Sequence, residues 1–457
     1  MIRLFHVYYP IRSLVLFFGE AFLVLGSFLL ATALIAGPDT SIILNYEGGF
    51  EKVLIVSLVS ILVAHFFDLY DLQKLTSSNE VYFRILGVVG LISLLLGLVG
   101  WLFPDFLLPK GSFLYGLIIL TFILMLWRTT YAWLAQKPYL TEKIFVAGSG
   151  KRAERLVTGL RNRKDLGIEV VAWSGALGGE PSRDELGASL FNIARNRGVD
   201  RIIVALDDRR GSLPVSELLE LKLSGVRIEE ATTLLERISG RIELDQLRPS
   251  WLIFSNGFSL NLMTQLLRRA FSSLVALAVL LLALPLIPLI ALAIKLSSSG
   301  PVFYRQLRVG KNRRPFHCYK FRTMRKDAEA DCGATWASDD DPRITRVGRI
   351  LRQTRLDEIP QLWNVLKGDM GFVGPRPERP EFVESLSREI PFYNLRHVIR
   401  PGLSGWAQVR YKYGNTVEDA RSKLEYDLYY IKNCSIGLDF LILFETLKTV
   451  ILARGAK

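Results

Sequence analysis

Residues 354–377, TRLDEIPQLWNVLKGDMGFVGPRP, set two carboxylates side by side, Asp357 and Glu358, in a strongly basic neighbourhood. Upstream, arginine recurs every third residue at Arg343, Arg346, Arg349, Arg352 and Arg355. On a helix, three-residue steps drift by about 60° each. The row therefore wraps around the axis, and two uses stay open for it: lipid headgroups and a phosphate site. Pro360 fits the first turn of a helix, which places Asp357 at or near a helix N-cap, where backbone N–H groups favour anions. One account makes Asp357 a cap and Glu358 a first-turn charge. The other divides chemical work between them, with one carboxylate as nucleophile and one holding a divalent cation. Three features favour the second. The setting is basic; GDMGFVGPRP supplies three glycines and a constrained Arg376; and RPGLSGWAQV, 400–409, adds a glycine-proline turn rich in backbone donors. Residues 302–324, VFYRQLRVGKNRRPFHCYKFRTM, read as paired strands around a polar turn at 310–312, with Lys320 and Arg322 on one strand face and both expected to bind substrate phosphate. Arginine forks and a hard cation suit phosphoryl transfer, because charge collects on the transferred oxygens.

The elements that carry these residues sit in a chain of 457 residues, half of them apolar. Apolar runs fall at 13–36, 53–67, 85–104, 112–127 and 270–294, the last three without charge. Runs of about 20 residues are long enough to cross a bilayer, so the sequence predicts an integral membrane protein. Residues 1–141 read as a four-helix transmembrane bundle. Arg3, Arg12, Arg128, Lys137 and Lys143 flank its two ends, and the positive-inside rule turns both to the cytoplasm. Glu20 lies inside the first run and is expected to face the bundle or to snorkel.

Residues 142–256 read as a Rossmann-like α/β domain with a parallel sheet. Gly148, Gly150 and Ala153 fit a dinucleotide fingerprint. The second strand ends in Trp173-Ser174-Gly175 without an acidic residue for a ribose, and 142–255 contains no tyrosine. The glycines are therefore read as permitting a tight strand-to-helix turn, in a structural or regulatory domain.

The run at 270–296 holds Pro285 and Pro288, each of which removes a helix hydrogen bond. A kinked spanning helix would move everything after it across the membrane. A helix–break–helix that enters one leaflet and returns keeps the dyad on the cytoplasmic side, and this re-entrant form is the expectation. Residues 297–457 hold 28 Lys and Arg against 19 Asp and Glu, within a net charge of +13. Beside a membrane anchor, that excess suits anionic lipid and phosphorylated substrates, not nucleic acid. Cys318, Cys332 and Cys434 have no paired spacing, which fits reduced thiols and neither a disulfide framework nor a zinc site.

KFRTM, RLDEIPQLWNVLKGDMGFVGPRP, RPGLSGWAQV and YDLYYIKN together resemble the signature blocks of the bacterial polyprenyl-phosphate sugar-1-phosphate transferases, the monotopic phosphoglycosyl transferases. The resemblance covers 265–457, and the front of the chain is similar in architecture to the long undecaprenyl-phosphate glucose or galactose phosphotransferases. It implies an α+β catalytic domain with a re-entrant membrane helix, 270–296, broken at Pro285 or Pro288. It implies transfer of a sugar 1-phosphate from a UDP-sugar to undecaprenyl phosphate with release of UMP, at the bacterial inner membrane, beginning exopolysaccharide or lipid-linked glycan synthesis. Asp357 would be the nucleophile, through an aspartyl phospho-sugar. Glu358 would bind Mg²⁺, with Mn²⁺ as substitute, and Lys320, Arg352 and Arg376 match basic positions of the family's site. Where many members carry a Gly-Arg-Asn-type stretch, this chain has RYKYGN, Arg410 to Asn415. Inner-membrane lipid is an expected partner, and a homo-oligomer is left open. Two other classes compete: a nucleotide-binding membrane scaffold or sensor, and a sugar-nucleotide epimerase or dehydratase. The intact dyad argues against the first, and the missing tyrosine and ribose partner against the second.

Overall fold

A computed structural model describes residues 1–73, 77–106, 108, 111–135, 137, 140–177, 186–187, 190, 198–206, 213–247, 249–255, 257–258, 261–325, 341–411, 414 and 416–452. Cys332 and Asn415 lie outside them. The chain divides into two compact units, Met1–Ile2 with Tyr9–Ala231, and Arg3–Tyr8 with Thr232–Lys457. Residues 232–256, which the sequence reading attached to the α/β segment, fall in the second unit. The physical reason is local: Ile242 N–H donates to the carbonyl of Glu425 (3.1 Å), Leu244 N–H to its carboxylate (3.1 Å), and Trp406 Nε1 to Gly240 O (2.8 Å).

The first unit begins with four long apolar helices, α1 (Ile11–Ala36), α2 (Gly49–Phe66), α3 (Ser78–Leu102) and α4 (Ser112–Ala135). Val24, Phe28, Val56, Val63, Ile85, Val88, Leu120 and Leu124 interlock among them. Their other faces leave Phe22, Phe83, Trp101 and Phe122 more than two-thirds exposed, an arrangement water would penalise and lipid would not. Glu20 points inward, as one of the two expected orientations had it. Arg128 Nη2 donates to Glu20 Oε2 (3.1 Å) and to Leu69 O (2.8 Å), so the buried charge is paired.

A four-stranded parallel sheet follows, in the order β2–β1–β3–β4: β1 (Glu142–Ala147), β2 (Ile168–Trp173), β3 (Arg201–Val204) and β4 (Arg227–Glu230). Helix α5 (Lys151–Arg161) crosses from β1, burying Ala153, Leu156, Val157 and Leu160. At the turn between them, Gly148 has φ +151°, and a Cβ there would lie 2.5 Å from Ala205 O. Its N–H donates to Ser174 Oγ (3.3 Å) and its carbonyl accepts from Gly175 N (3.2 Å). The glycine thus serves close backbone packing, with both its polar groups engaged inside the protein.

After residues 232–256, the second unit continues with an apolar helix pair, α6 (Leu262–Ala283) and α7 (Leu286–Ser297), interrupted at Leu284 and Pro285. Pro285 precedes α7 and Pro288 lies in its first turn, where a missing N–H costs nothing. Both ends of the pair bind one small region. Arg269 of α6 donates to Val365 O (3.3 Å) and Leu366 O (2.9 Å). Beyond α7, Ser298 O and Ser299 O accept from Arg322 (2.7 and 2.8 Å). Asn364, beside Val365, accepts from Tyr319 N–H (3.1 Å), three residues before Arg322. Three strand residues cover about 10 Å, whereas one straight helix from Arg269 to Ser298 would run about 44 Å. The pair is therefore bent at the break and is not one straight helix.

Strands β5 (Phe303–Val309) and β6 (Pro315–Phe321) pair antiparallel across the expected turn, Phe303 opposite Phe321 and Val309 opposite Pro315. Helices α8 (Arg346–Gln353) and α9 (Gln361–Lys367), the short parallel strands β7 (Gly371–Val373) and β8 (Gly402–Ser404), and helices α10 (Val417–Lys432) and α11 (Ile436–Ile451) complete the unit. Trp406, Tyr393, Tyr429 and Tyr430 are buried among them. Among the described residues, five helices are long and apolar enough to cross a membrane. The chain is a membrane protein of mixed helix and sheet content.

Candidate active site

The dyad lies in a tight corner between two helices. Thr345 caps α8, its Oγ1 accepting from Gly348 N–H (2.9 Å). After α8 ends, Arg355 takes φ +58°, a left-handed step that reverses the chain into the single 3₁₀ turn Leu356–Glu358. Helix α9 starts four residues after Asp357, with Pro360 as its N-terminal flanking residue. This corrects the placement of Asp357 at a helix N-cap. The proline marks the start of α9 as expected, but the carboxylates precede that start and are held by side chains.

Asp357 and Glu358 are 7 % and 8 % exposed. Lys320 Nζ, from β6, lies 3.1 Å from Glu358 Oε1 and 3.9 Å from Asp357 Oδ2. Arg376 Nη2 donates to the same Oε1 at 2.7 Å. The two carboxyls are thereby pushed apart. Burial opposes ionisation of Glu358, but Arg376, Lys320 and Arg355 together outweigh it and hold its carboxyl well below the usual range. Burial raises the carboxyl of Asp357; Lys320 and Arg352 pull it back only partly, and the adjacent Glu358 charge adds to the rise. Glu358 is the fixed anion, and Asp357 is the carboxyl that takes up a proton more readily.

Of the expected basic residues, the structure brings Lys320 and Arg376 onto the dyad and Arg352 near it. Arg352 donates through Nε to Thr323 Oγ1 (3.0 Å) while its charge acts on Asp357. Arg322 differs from the expectation of a phosphate ligand. It sits one residue beyond β6, and its guanidinium closes on the carbonyls of Ser298 and Ser299, where a cation suits the carbonyl-rich end of α7. The three-residue arginine row divides as its geometry requires. Arg343 pairs with Asp341 (2.5 Å), Arg346 and Arg349 face outward, and Arg352 and Arg355 turn toward the dyad. The glycine-proline loops also differ from expectation. Gly371 N–H donates to Pro401 O, Gly374 N–H to Ser404 O and Gly402 N–H to Pro375 O, at 2.8 to 3.0 Å. These donors join the two loops to each other. A Cβ on Gly402 would lie 2.0 Å from Gly374 N, so the junction admits no side chain there.

Two supports escaped the sequence reading. Asn364 is fully buried; its Nδ2 donates to His317 O (2.7 Å) and its Oδ1 accepts from Tyr319 N–H, which locks α9 to β6 and sets Lys320 opposite the dyad. Arg396 pairs with Asp427 (2.9 Å) and donates to Arg376 O (3.0 Å). The signal for Asp427 was its place in YDLYYIKN and for Asn364 its place in RLDEIPQLWNVLKGDMGFVGPRP; nothing local in the sequence pointed to Arg396.

Among the described residues, no cluster of three or more His, Cys, Asp or Glu is placed around a metal. Mg²⁺ is nevertheless often held by one or two carboxylates, with waters and substrate phosphates completing its shell. Two buried neighbouring carboxylates fit that donor set.

Residues 263–453 match the family described as bacterial sugar transferase. The chain is 36% identical over 327 residues to the UDP-glucose:undecaprenyl-phosphate glucose-1-phosphate transferase of Escherichia coli (strain K12), a match covering 70% of each. It is 43% identical over 240 residues to the UDP-N-acetylgalactosamine-undecaprenyl-phosphate N-acetylgalactosaminephosphotransferase of Aeromonas hydrophila, covering 52% of this chain and 56% of that one. It is 34% identical over 324 residues to the undecaprenyl-phosphate glucose phosphotransferase of Komagataeibacter xylinus, covering 69% and 60%. The match to the Escherichia coli protein extends beyond the catalytic blocks, and with the dyad and its cations in one buried corner the chain belongs to the polyprenyl-phosphate sugar-1-phosphate transferases.

Proposed function

We propose that this chain transfers a sugar 1-phosphate from a UDP-sugar to undecaprenyl phosphate and releases UMP, with Asp357 as covalent nucleophile. The observation that carries the reading is the unequal treatment of two adjacent carboxylates: Glu358 is held by Lys320 and Arg376, while Asp357 keeps a raised carboxyl. An Asp357 oxygen would attack the sugar-bearing phosphorus and break its bond to the bridging oxygen, which leaves with UMP. An oxygen of undecaprenyl phosphate would then attack the same phosphorus and return the carboxylate. Lys320, Arg352 and Arg376 would offset charge on the phosphates. Mg²⁺ or Mn²⁺, held by Glu358 with Asp357 beside it, would supply a hard cation between like-charged groups.

The relatives' names carry glucose and N-acetylgalactosamine, so the donor is a UDP-hexose or a UDP-N-acetylhexosamine. The product would begin an exopolysaccharide or other lipid-linked glycan. The bent α6–α7 pair would enter one leaflet of the inner membrane and return, leaving the dyad cytoplasmic. The first four helices would span as a bundle. The α/β segment would be a Rossmann-like domain in a structural or regulatory role, consistent with the internal bonding of Gly148. Purified chain, undecaprenyl phosphate and a panel of UDP-sugars test the reading. UMP released from one or more donors is expected; release from none would leave a scaffold or sensor.

A further inference from the structure

The Pro375-Arg376-Pro377 corner carries the cation closest to Glu358, and its backbone is held in an unusual way. Proline fixes φ and removes the N–H, so the corner presents mainly carbonyls. Four consecutive carbonyls each accept a hydrogen bond, and the four donors come from three separate segments. Pro375 O accepts from Gly402 N–H (3.0 Å) and Glu378 O from Val309 N–H (2.9 Å). Between them, Arg376 O accepts from Arg396 Nη2 (3.0 Å) and Pro377 O from Arg308 Nη1 (2.9 Å). The outer two bonds are ordinary backbone contacts. The inner two use guanidinium groups, and in each the donating nitrogen also meets a carboxylate: Asp427 at 2.9 Å from Arg396 Nη2 and Glu378 at 3.5 Å from Arg308 Nη1. Tyr393 Oη accepts from Arg396 Nη1 (2.6 Å) and fixes that side chain further.

We infer that Arg308 and Arg396 are positioning residues that act through Arg376, clamping the corner from two sides so that its guanidinium stays on the dyad. The inference rests on the proposed function, in which Arg376 serves the reacting phosphates. The reason for using arginine is geometric. Neither Pro375 nor Pro377 can donate to a neighbouring strand, so the corner cannot be tied down as part of a ladder. Long side chains with a rigid fork reach its carbonyls from outside; Arg396 is anchored by Asp427, and Arg308 pairs with Glu378 of the corner itself. Misplacement of about 1 Å in a reacting group is enough to cost about a hundredfold in rate. Neither arginine needs to touch substrate for its loss to be felt.

A double-mutant cycle separates this role from plain stabilisation. The full-length chain is purified as wild type, R308Q, R396Q, R376Q, R308Q/R376Q and R396Q/R376Q. UMP release from a labelled UDP-sugar is followed under single-turnover conditions over hours, so that slow variants are measurable, and thermal unfolding is recorded for each. R308Q and R396Q are each expected to slow the wild type by about 10-fold or more, yet to slow R376Q by less than about 2-fold, since the group they place is already gone. Equal fold losses in both backgrounds overturn the inference while leaving the proposed function intact. A wild type that releases no UMP from any donor overturns both. If R396Q does not fold, the R308Q cycle decides by the same criterion. Failure of both single variants to fold overturns the inference, because the arginines would then hold the domain and not the corner.

Discussion

Arg376 and Glu358, 18 residues apart in sequence, meet Nη2 to Oε1 at 2.7 Å, and Lys320 closes on the same oxygen at 3.1 Å. One carboxylate of the pair is neutralised by two cations, which leaves the other without a second bare charge beside it. Mutual repulsion of adjacent carboxylates would otherwise favour protonation of one.

If Asp357 forms the covalent intermediate, label from the sugar of a UDP-sugar becomes attached to the protein without lipid acceptor, in up to one equivalent. Asp357→Asn is expected to take up none, to lose at least about 10³-fold in turnover, and to unfold at the wild-type temperature. UMP that appears only when undecaprenyl phosphate is added would assign the reaction to direct displacement.

Activity is expected to fall as pH drops, because the nucleophile must be ionised. Burial places the carboxyl of Asp357 above its ordinary value of 3.8, so the acid limb of kcat/KM lies above that point. Lys320 favours the ionised form. Lys320→Met should therefore move the limb to higher pH, and Lys320→Arg should leave it close to wild type. A limb that moves downward in Lys320→Met would contradict the electrostatics.

Removing divalent cations with excess chelator should abolish UMP release, and Mg²⁺ or Mn²⁺ should restore it. Glu358→Gln is expected to need more metal for any residual rate. Full turnover in chelator would take the metal out of the site.

The break in the α6–α7 pair predicts that Leu262→Cys and Pro301→Cys, in a chain with its native cysteines replaced, react with a membrane-impermeant thiol reagent from the same side. Labelling of only one in intact cells would restore a spanning helix.

Asn364→Ala removes the bond to His317 O and the acceptor for Tyr319 N–H. With both backbone groups left in a buried place, stability should fall by about 2–4 kcal/mol, measured by denaturant midpoint.

The sequence by itself determined the apolar helices, the strand alternation of the α/β segment, the β5–β6 pairing and the dyad with its basic neighbours. Each of these is written in short-range pattern: long apolar runs, short apolar strands between helical stretches, a polar turn, adjacent carboxylates. Proline also marked a break between α6 and α7, because a missing N–H is a local fact. What each arginine does was decided only by tertiary structure. Lys320 and Arg322 differ by two residues, yet one faces Glu358 and the other lies past the strand's end against Ser298. The glycine-proline loops promised backbone donors, and the fold turned those donors toward each other. Asn364, Arg396 and Arg308 gain their roles from backbone carbonyls 47, 20 and 69 residues away. A carbonyl is the same in every residue, so no side-chain pattern announces which one will be bound. That choice follows from packing alone.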